Sequence, residues 1–293
     1  MSVTKRPMPV ARRMTAAFFI AALLLALLVA APAGGAASAG AVPAGLSAAD
    51  WAAIRAQLPA PAVPVQSGYL KASNAGASDE FGASVAVDGN MVVVGAPQES
   101  SNGAGGPTDN SADSAGAAYV FVRSGATWSQ QAYLKPSNAE AGDRFGESVA
   151  VDEDAAGGPT VVVGAFGEDS NGVGGPTDNS EAQAGAAYVF VRSGATWSQQ
   201  AYLKASNAQF FDNFGLSVAV AGDTVVVGAH SEDSNGTGGP SNNSASDAGA
   251  AYVFVRSGAT WSQQAYLKAS NAEAQDSFGL SVAVDGDIVV AGA

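Results

Sequence analysis

The chain has 293 residues, of which 47% are hydrophobic and only 13% charged, and its formal net charge is −13. It is too apolar for a disordered chain and too acidic to suit a phosphate backbone or an anionic membrane, so nucleic acid is not an expected partner. There is no cysteine, which removes disulfides, thiol chemistry and cysteine-linked lipid from consideration.

The N-terminus opens with Lys5, Arg6, Arg12 and Arg13, runs apolar from Ala16 to Ala31, and reaches the small-residue site Ala37-Ser38-Ala39. A basic stretch, an apolar stretch and an A-x-A site make a secretory signal peptide over residues 1–39. The apolar run is shorter than the roughly 20 residues that span a bilayer, so no membrane insertion is expected after cleavage. Cleavage changes the formal charge to −17 and leaves a secreted or cell-surface chain, of bacterial type by its Ala-rich leader.

Residues 40–66 read as a linker holding one short helix. Ser47 and Asp50 resemble a capping box before AADWAAIRAQL, Pro59 ends the helix, and Pro61 and Pro64 keep the chain extended.

From residue 67 to 293 the chain is a repeat. The string AGAAYVFVRSGATWSQQAYLK recurs letter for letter at Ala115 to Lys135, Ala184 to Lys204 and Ala248 to Lys268, and Tyr-Leu-Lys and Phe-Gly recur in steps of 64, 69 and 64. Self-similarity at such a period is the signature of a repeat architecture. The five extra residues of the middle step come from one lengthened turn, VDEDAAGGPTVVV from Val151, where the first unit has VDGNMVVV from Val87.

Each unit predicts four short strands. In the third, Ser217 to Val220 and Thr224 to Ala229 flank a tight turn that reads Asp-Gly in the first and fourth units, a strong hairpin signal. The apolar run VVV predicts a strand buried on both faces. AAYVFVR and TWSQQAYLK form a second hairpin. Strict alternation places Tyr119, Phe121 and Arg123 opposite Ala118, Val120 and Val122. It also places Trp128, Gln130, Ala132 and Leu134 opposite Ser129, Gln131, Tyr133 and Lys135, with Arg123 and Lys135 as solvated charges or local ion-pair partners.

Between the second and third strands lie loops of 19 residues, at 98–116, 167–185 and 231–249, and the remainder of a 64-residue unit is the size of one propeller blade. The fold class expected is all-β: a β-propeller of four-stranded antiparallel blades starting near residues 79, 143, 212 and 276. It has about three and a half blades and is therefore incomplete, with Tyr69-Leu70-Lys71 as the remnant of a closing strand. Open ends of this kind expose a blade face and invite self-association.

Phe81-Gly82 followed by Val94-Gly95-Ala96-Pro97, with its echoes at Phe145-Gly146, Gly164-Ala165, Phe214-Gly215, Gly228-Ala229, Phe278-Gly279 and Gly292-Ala293, resembles the FG-GAP repeat. The resemblance covers residues 69–293 and implies the propeller found at the N-terminus of integrin α subunits and in bacterial exported proteins. Read as residues, Phe can wedge between blades and Gly permits close approach of the backbone.

No catalytic constellation is expected, because the single histidine, His230, has no Cys or Ser-His-Asp partners and Glu232-Asp233 recurs as part of an array loop. Calcium is the one cofactor to weigh. Asp233, Asn235 and Thr237, with Gly238 after them, match the opening of a calcium loop, and the second unit weakens this to Asp169, Asn171 and Val173. In the family resembled, the calcium loop lies between strands one and two, where this chain has only a tight turn, except for Asp152 and Asp154 in the lengthened unit. The alternative is a solvated turn-rich loop whose side chains bond their own backbone.

The function expected is that of an exported, non-catalytic binding or adhesion protein that presents loops to an extracellular protein or carbohydrate. The alternatives are a structural surface or matrix repeat protein, or the accessory module of a larger secreted enzyme.

Overall fold

The structure, a computed structural model, describes residues 47, 49, 66 and 68–293, apart from 105, 107, 174, 238 and 241. The signal peptide and all of the linker helix but Ala49, which is helical, lie outside the described residues, as do Gly238 and Ser241. The chain divides into two compact units, residues 1–65 and 66–293, and the strands belong to the second.

They are β1 (Val85–Asp88), β2 (Met91–Ala96), β3 (Ala117–Ser124), β4 (Thr127–Leu134), β5 (Ser148–Asp152), β6 (Thr160–Ala165), β7 (Ala186–Ser193), β8 (Thr196–Leu203), β9 (Ser217–Ala221), β10 (Thr224–Ala229), β11 (Ala250–Ser257), β12 (Thr260–Leu267), β13 (Ser281–Asp285) and β14 (Ile288–Gly292). β1 to β4, β5 to β8 and β9 to β12 form three four-stranded antiparallel sheets in meander order, and β13 and β14 form a two-stranded sheet. Among the described residues these are three blades and a half, with no closed sheet. Tyr69, Leu70 and Lys71 form no strand, and Tyr69 is 80% exposed.

Successive sheets pack face to face. The first strands β1, β5, β9 and β13 approach one another, while the outer strands touch little. One core lies between the first and second blades, where Met91, Val93, Val120 and Leu134 meet Val149, Val161, Val163 and Tyr188. A second lies between the second and third blades, where Val162, Val189 and Leu203 meet Val225, Val227 and Tyr252. β6 is buried along its whole length, as its apolar run requires.

Strict alternation fails in the outer strand. In the first blade Tyr119 pairs with Tyr133 and Val120 with Ala132, but Phe121 pairs with Gln130, so Gln131 is a bulge. Trp128 and Gln130 therefore share a face with Tyr133, not with Ala132 and Leu134. The same shift recurs in the other two blades, and it aims the bulged Gln131 and Gln200 at Trp197 and Trp261 of the next blade, whose Nε1–H groups donate to them at 3.0 and 2.8 Å.

The two family-like glycine motifs explain each other. Ser84, Ser148 and Ser217 donate through Oγ to the carbonyls of Gly146, Gly215 and Gly279 in the following blade, at 2.7 to 2.8 Å. A Cβ on Gly95, Gly164 or Gly228 would overlap those same carbonyl oxygens. The glycines thus permit blade-to-blade backbone contact, while Phe145 and Phe214, both 0% exposed, wedge beside them against Tyr188 and Tyr252.

The lengthened turn of the second blade ties three blades together. Its Glu153 N–H donates to Asp88 Oδ2 and its Glu153 Oε2 accepts from Asn90 N–H, at 2.7 and 2.6 Å. Asp152 Oδ2 accepts from Gly222 N–H at 2.5 Å, and Gly157 leaves room for the Arg256 guanidinium. Arg256 Nε donates to Asp223 Oδ1 at 2.7 Å, and its Nη2 makes a charge contact with that oxygen without an aligned hydrogen bond.

Gly164→Ala should cost about 3 kcal/mol by overpacking the blade contact. Gly194→Ala, at a positive-φ turn position with open space around it, should cost about 1 kcal/mol from backbone strain alone. Urea unfolding of the two variants checks the ranking, and equal losses would contradict the close-contact role.

Candidate functional site

The three 19-residue loops leave the ends of β2, β6 and β10 and lie on one face. Each is pinched at its base by two backbone bonds: Gly116, Gly185 and Gly249 N–H donate to Glu99, Glu168 and Glu232 O at 2.7 to 2.8 Å, and Ala112, Glu181 and Ala245 N–H donate to Ser100, Asp169 and Asp233 O at 2.8 to 2.9 Å. The far end of each loop then runs on to the next blade, where Phe145, Phe214 and Phe278 N–H donate to Ala115, Ala184 and Ala248 O at 3.0 to 3.1 Å.

The second loop residue is a buried glutamate, and the sequence reading missed its role. Glu99, Glu168 and Glu232 are 2%, 2% and 1% exposed. Each is paired with a buried lysine 36 residues on, Lys135, Lys204 or Lys268, at 3.2, 3.0 and 2.8 Å. Lys135 is therefore no solvated charge. Tyr133, Tyr202 and Tyr266 hydroxyls donate to the same carboxylates, as do Asn74, Asn138 and Asn207 Nδ2 from the segment entering each blade. The oxygens of those asparagines accept from Tyr119, Tyr188 and Tyr252 hydroxyls. Burial pulls the Lys135 and Lys204 ammonium groups down, opposed by the glutamates, and pushes the tyrosine hydroxyls up. The constant separation of 36 was the sequence signal for this network.

The loop tips are exposed and differ in side chain: Ala104, Val173 and Thr237 occupy equivalent places, and Val173 is 92% exposed. Each tip is an Asx turn in which Asn102, Asn171 or Asn235 Oδ1 accepts from the N–H two residues on, at 2.8, 2.7 and 2.9 Å.

The calcium candidates are engaged as follows. Asn235 and Thr237 are brought together, since Asn235 Oδ1 also accepts from Thr237 Oγ1 at 2.7 Å and Asn242 Nδ2 at 3.0 Å. Asp233 Oδ1 instead accepts from Asp247 N–H at 2.9 Å, and Asp169 Oδ1 from Gln183 N–H at 2.8 Å, both at the loop base. Asn171 Nδ2 donates to Ser180 Oγ at 2.8 Å. Asp152, in the lengthened turn, accepts from Asp154 and Gly222 N–H. Among the described residues no group of three or more His, Asp or Glu side chains is placed to hold a metal. His230 is half-buried, its Nδ1 has no partner, and burial lowers its pKa.

Asp143 and Asp212, two residues before the Phe-Gly pairs, are 4% and 3% exposed. Burial, with Glu168 or Glu232 nearby, outweighs their bonds from Glu140 and Gln209 N–H and raises them to about 7 and about 8. Each keeps its proton in the folded chain over a range where the unfolded chain has lost it. Stability should therefore fall as pH rises from about 4 to about 8. Asp143→Asn with Asp212→Asn keeps both acceptor oxygens and should flatten that slope, raising Tm by about 5 °C at pH 8.5. Melts from pH 5 to 9 check this, and parallel slopes would show that both carboxyls ionise freely.

Similarity to known proteins agrees with this geometry. The FG-GAP repeat family matches residues 65–121, 128–190, 197–254 and 261–293. The first three matched segments each end within the third strand of a blade, and the later ones begin on the outer strand of the blade before, so the sequence unit straddles a blade boundary. No curated protein matches the chain. Among solved structures the chain is similar to the crystal structure of Saccharomyces cerevisiae Sqt1, at 8% identity and a TM-score of 0.36, covering 67% of this chain and 38% of that one. That likeness is too slight to carry an argument. With four registered repeats over most of its length, the chain belongs to the FG-GAP repeat family.

Proposed function

We propose that this chain is an exported, non-catalytic propeller whose row of 19-residue loops binds an extracellular ligand. The observation that carries the reading is the contrast within each loop. The base is fixed by a buried glutamate, a buried lysine and two backbone bonds, while the tip is exposed and changes from blade to blade. Rigid frames carrying variable exposed loops are the usual arrangement of binding surfaces.

A second reading, a self-stacking structural unit, is favoured by the end faces. Val85 and Val87 are 68% and 71% exposed, whereas their equivalents Val149 and Val151 pack under the preceding blade. Ile288 and Val290 are 67% and 59% exposed, whereas their equivalents Met91 and Val93 are fully buried. These are the two complementary halves of one blade contact, each of which a further blade of the same kind, in the same chain or in another copy, would cover. Concentration-dependent assembly without ligand separates this reading from the first.

Arrays of extracellular proteins and glycans probed with the full chain test the binding reading. A variant with Ala104→Arg, Val173→Arg and Thr237→Arg should keep its melting temperature and lose capture of a loop ligand at least about tenfold, the scale of about 1.4 kcal/mol. Capture of nothing by the native chain, or equal capture by a variant altered everywhere on the loop face, would overturn it.

A further inference from the structure

The three near-identical blades differ sharply at one turn of the loop face. The turn entering each blade reads Ala77-Ser78, Ala141-Gly142, Phe210-Phe211 and Ala274-Gln275. The second position has positive φ in every copy: 70° at Ser78, 90° at Gly142, 66° at Phe211 and 70° at Gln275. This region suits glycine and short polar residues, and a bulky aromatic there is an outlier. Both rings are well exposed, Phe210 at 55% and Phe211 at 46%. They meet edge to face with centroids 4.1 Å apart, so they cover each other only in part.

The pair sits at the seam of two loops. Phe211 N–H donates to Ala182 O near the end of the second loop, at 3.0 Å. Gln209 Oε1 accepts from Asn243 Nδ2 of the third loop at 2.5 Å. Asn213 Nδ2 donates to Phe211 O at 2.9 Å. The other turns of the same shape do without aromatic rings, so the pair is not required by the fold, and backbone strain together with exposed apolar surface points to a ligand.

We propose that Phe210 and Phe211 form a platform for a neutral saccharide, a reading that rests on the loop face being the binding surface. Two rings are a small apolar patch, well below the core of a protein interface that buries roughly 1,000 Å² or more. Set 70° apart, they match one sugar ring, whose C–H face stacks on the face of one phenyl while the other flanks its edge. Three amides stand at the same turn, Gln209, Asn213 and Asn243. An amide carries both donors and an acceptor, which suits hydroxyls that do the same. The formal charge of −13 disfavours acidic glycans.

The test is a titration of the full chain with neutral gluco-, manno- and galacto-oligosaccharides, first on an array and then by calorimetry. The native chain should bind at least one of them, and Phe210→Ala and Phe211→Gly should each weaken that binding at least about tenfold. Phe211→Gly should also melt no lower than the native chain, since glycine suits the left-handed backbone. A control variant at the opposite end of the blades, Ala126→Arg with Ala195→Arg and Ala259→Arg, all exposed in the turns between the third and fourth strands, should keep saccharide binding. Saccharide binding unchanged in both Phe variants, no neutral saccharide bound at millimolar concentration, or loss of a captured protein instead of a sugar would each overturn the platform. A ligand lost only by the tip variant would leave the loop-face reading standing without it.

Discussion

Three buried carboxylates hold this fold in register. Glu168 shows the pattern: Lys204 and Tyr202 reach it from the outer strand of its own blade, Ser170 N–H from its own loop, and Asn138 from the segment that leaves the preceding blade. Removing a charge from water costs several kcal/mol, and only a partner and a full set of donors recover it. One group therefore fixes the outer strand, the loop base and the neighbouring blade together, and a loop of 19 residues can leave a stable base without loosening it.

The apolar part of the interface follows from that placement. Once the blades are in register, a serine hydroxyl on one first strand meets the Phe-Gly carbonyl of the next, and only glycine at Gly95, Gly164 and Gly228 allows the approach. Where two blades adjoin, their inner strands are committed to one another. What remains free to vary is the loop tips and the entering turns, which is where Val173, Thr237 and the Phe210-Phe211 pair are found.

Much of this was legible in the sequence. Asp-Gly turns, β-branched runs and a constant loop length gave the strands, their order and the blade count, because these are local or periodic signals. Gln131 was misread because a bulge breaks period-two alternation without a compositional mark. The sequence leaves Lys135 open between a solvated charge and a local ion-pair partner, because its partner, Glu99, lies 36 residues away in a loop that looks solvated, and only the third dimension brings them together. Tyr69 to Lys71 repeats the letters of an outer strand without forming one, and among the described residues no strand pairs with it. The Phe210-Phe211 turn passed unnoticed because two phenylalanines in a row look like core until their exposure is known.

The coupling between blades is the central physical claim, and a double-mutant cycle on Asn207 and Glu232 tests it most directly. Asn207 comes from the segment leaving the second blade and donates to Glu232 of the third at 3.1 Å. Denaturant unfolding of Asn207→Ala, Glu232→Gln and the double variant should give a coupling energy of about 1 to 2 kcal/mol, as for groups within one buried network. A coupling near zero would mean that the carboxylate serves its own blade alone and that apolar packing sets the register.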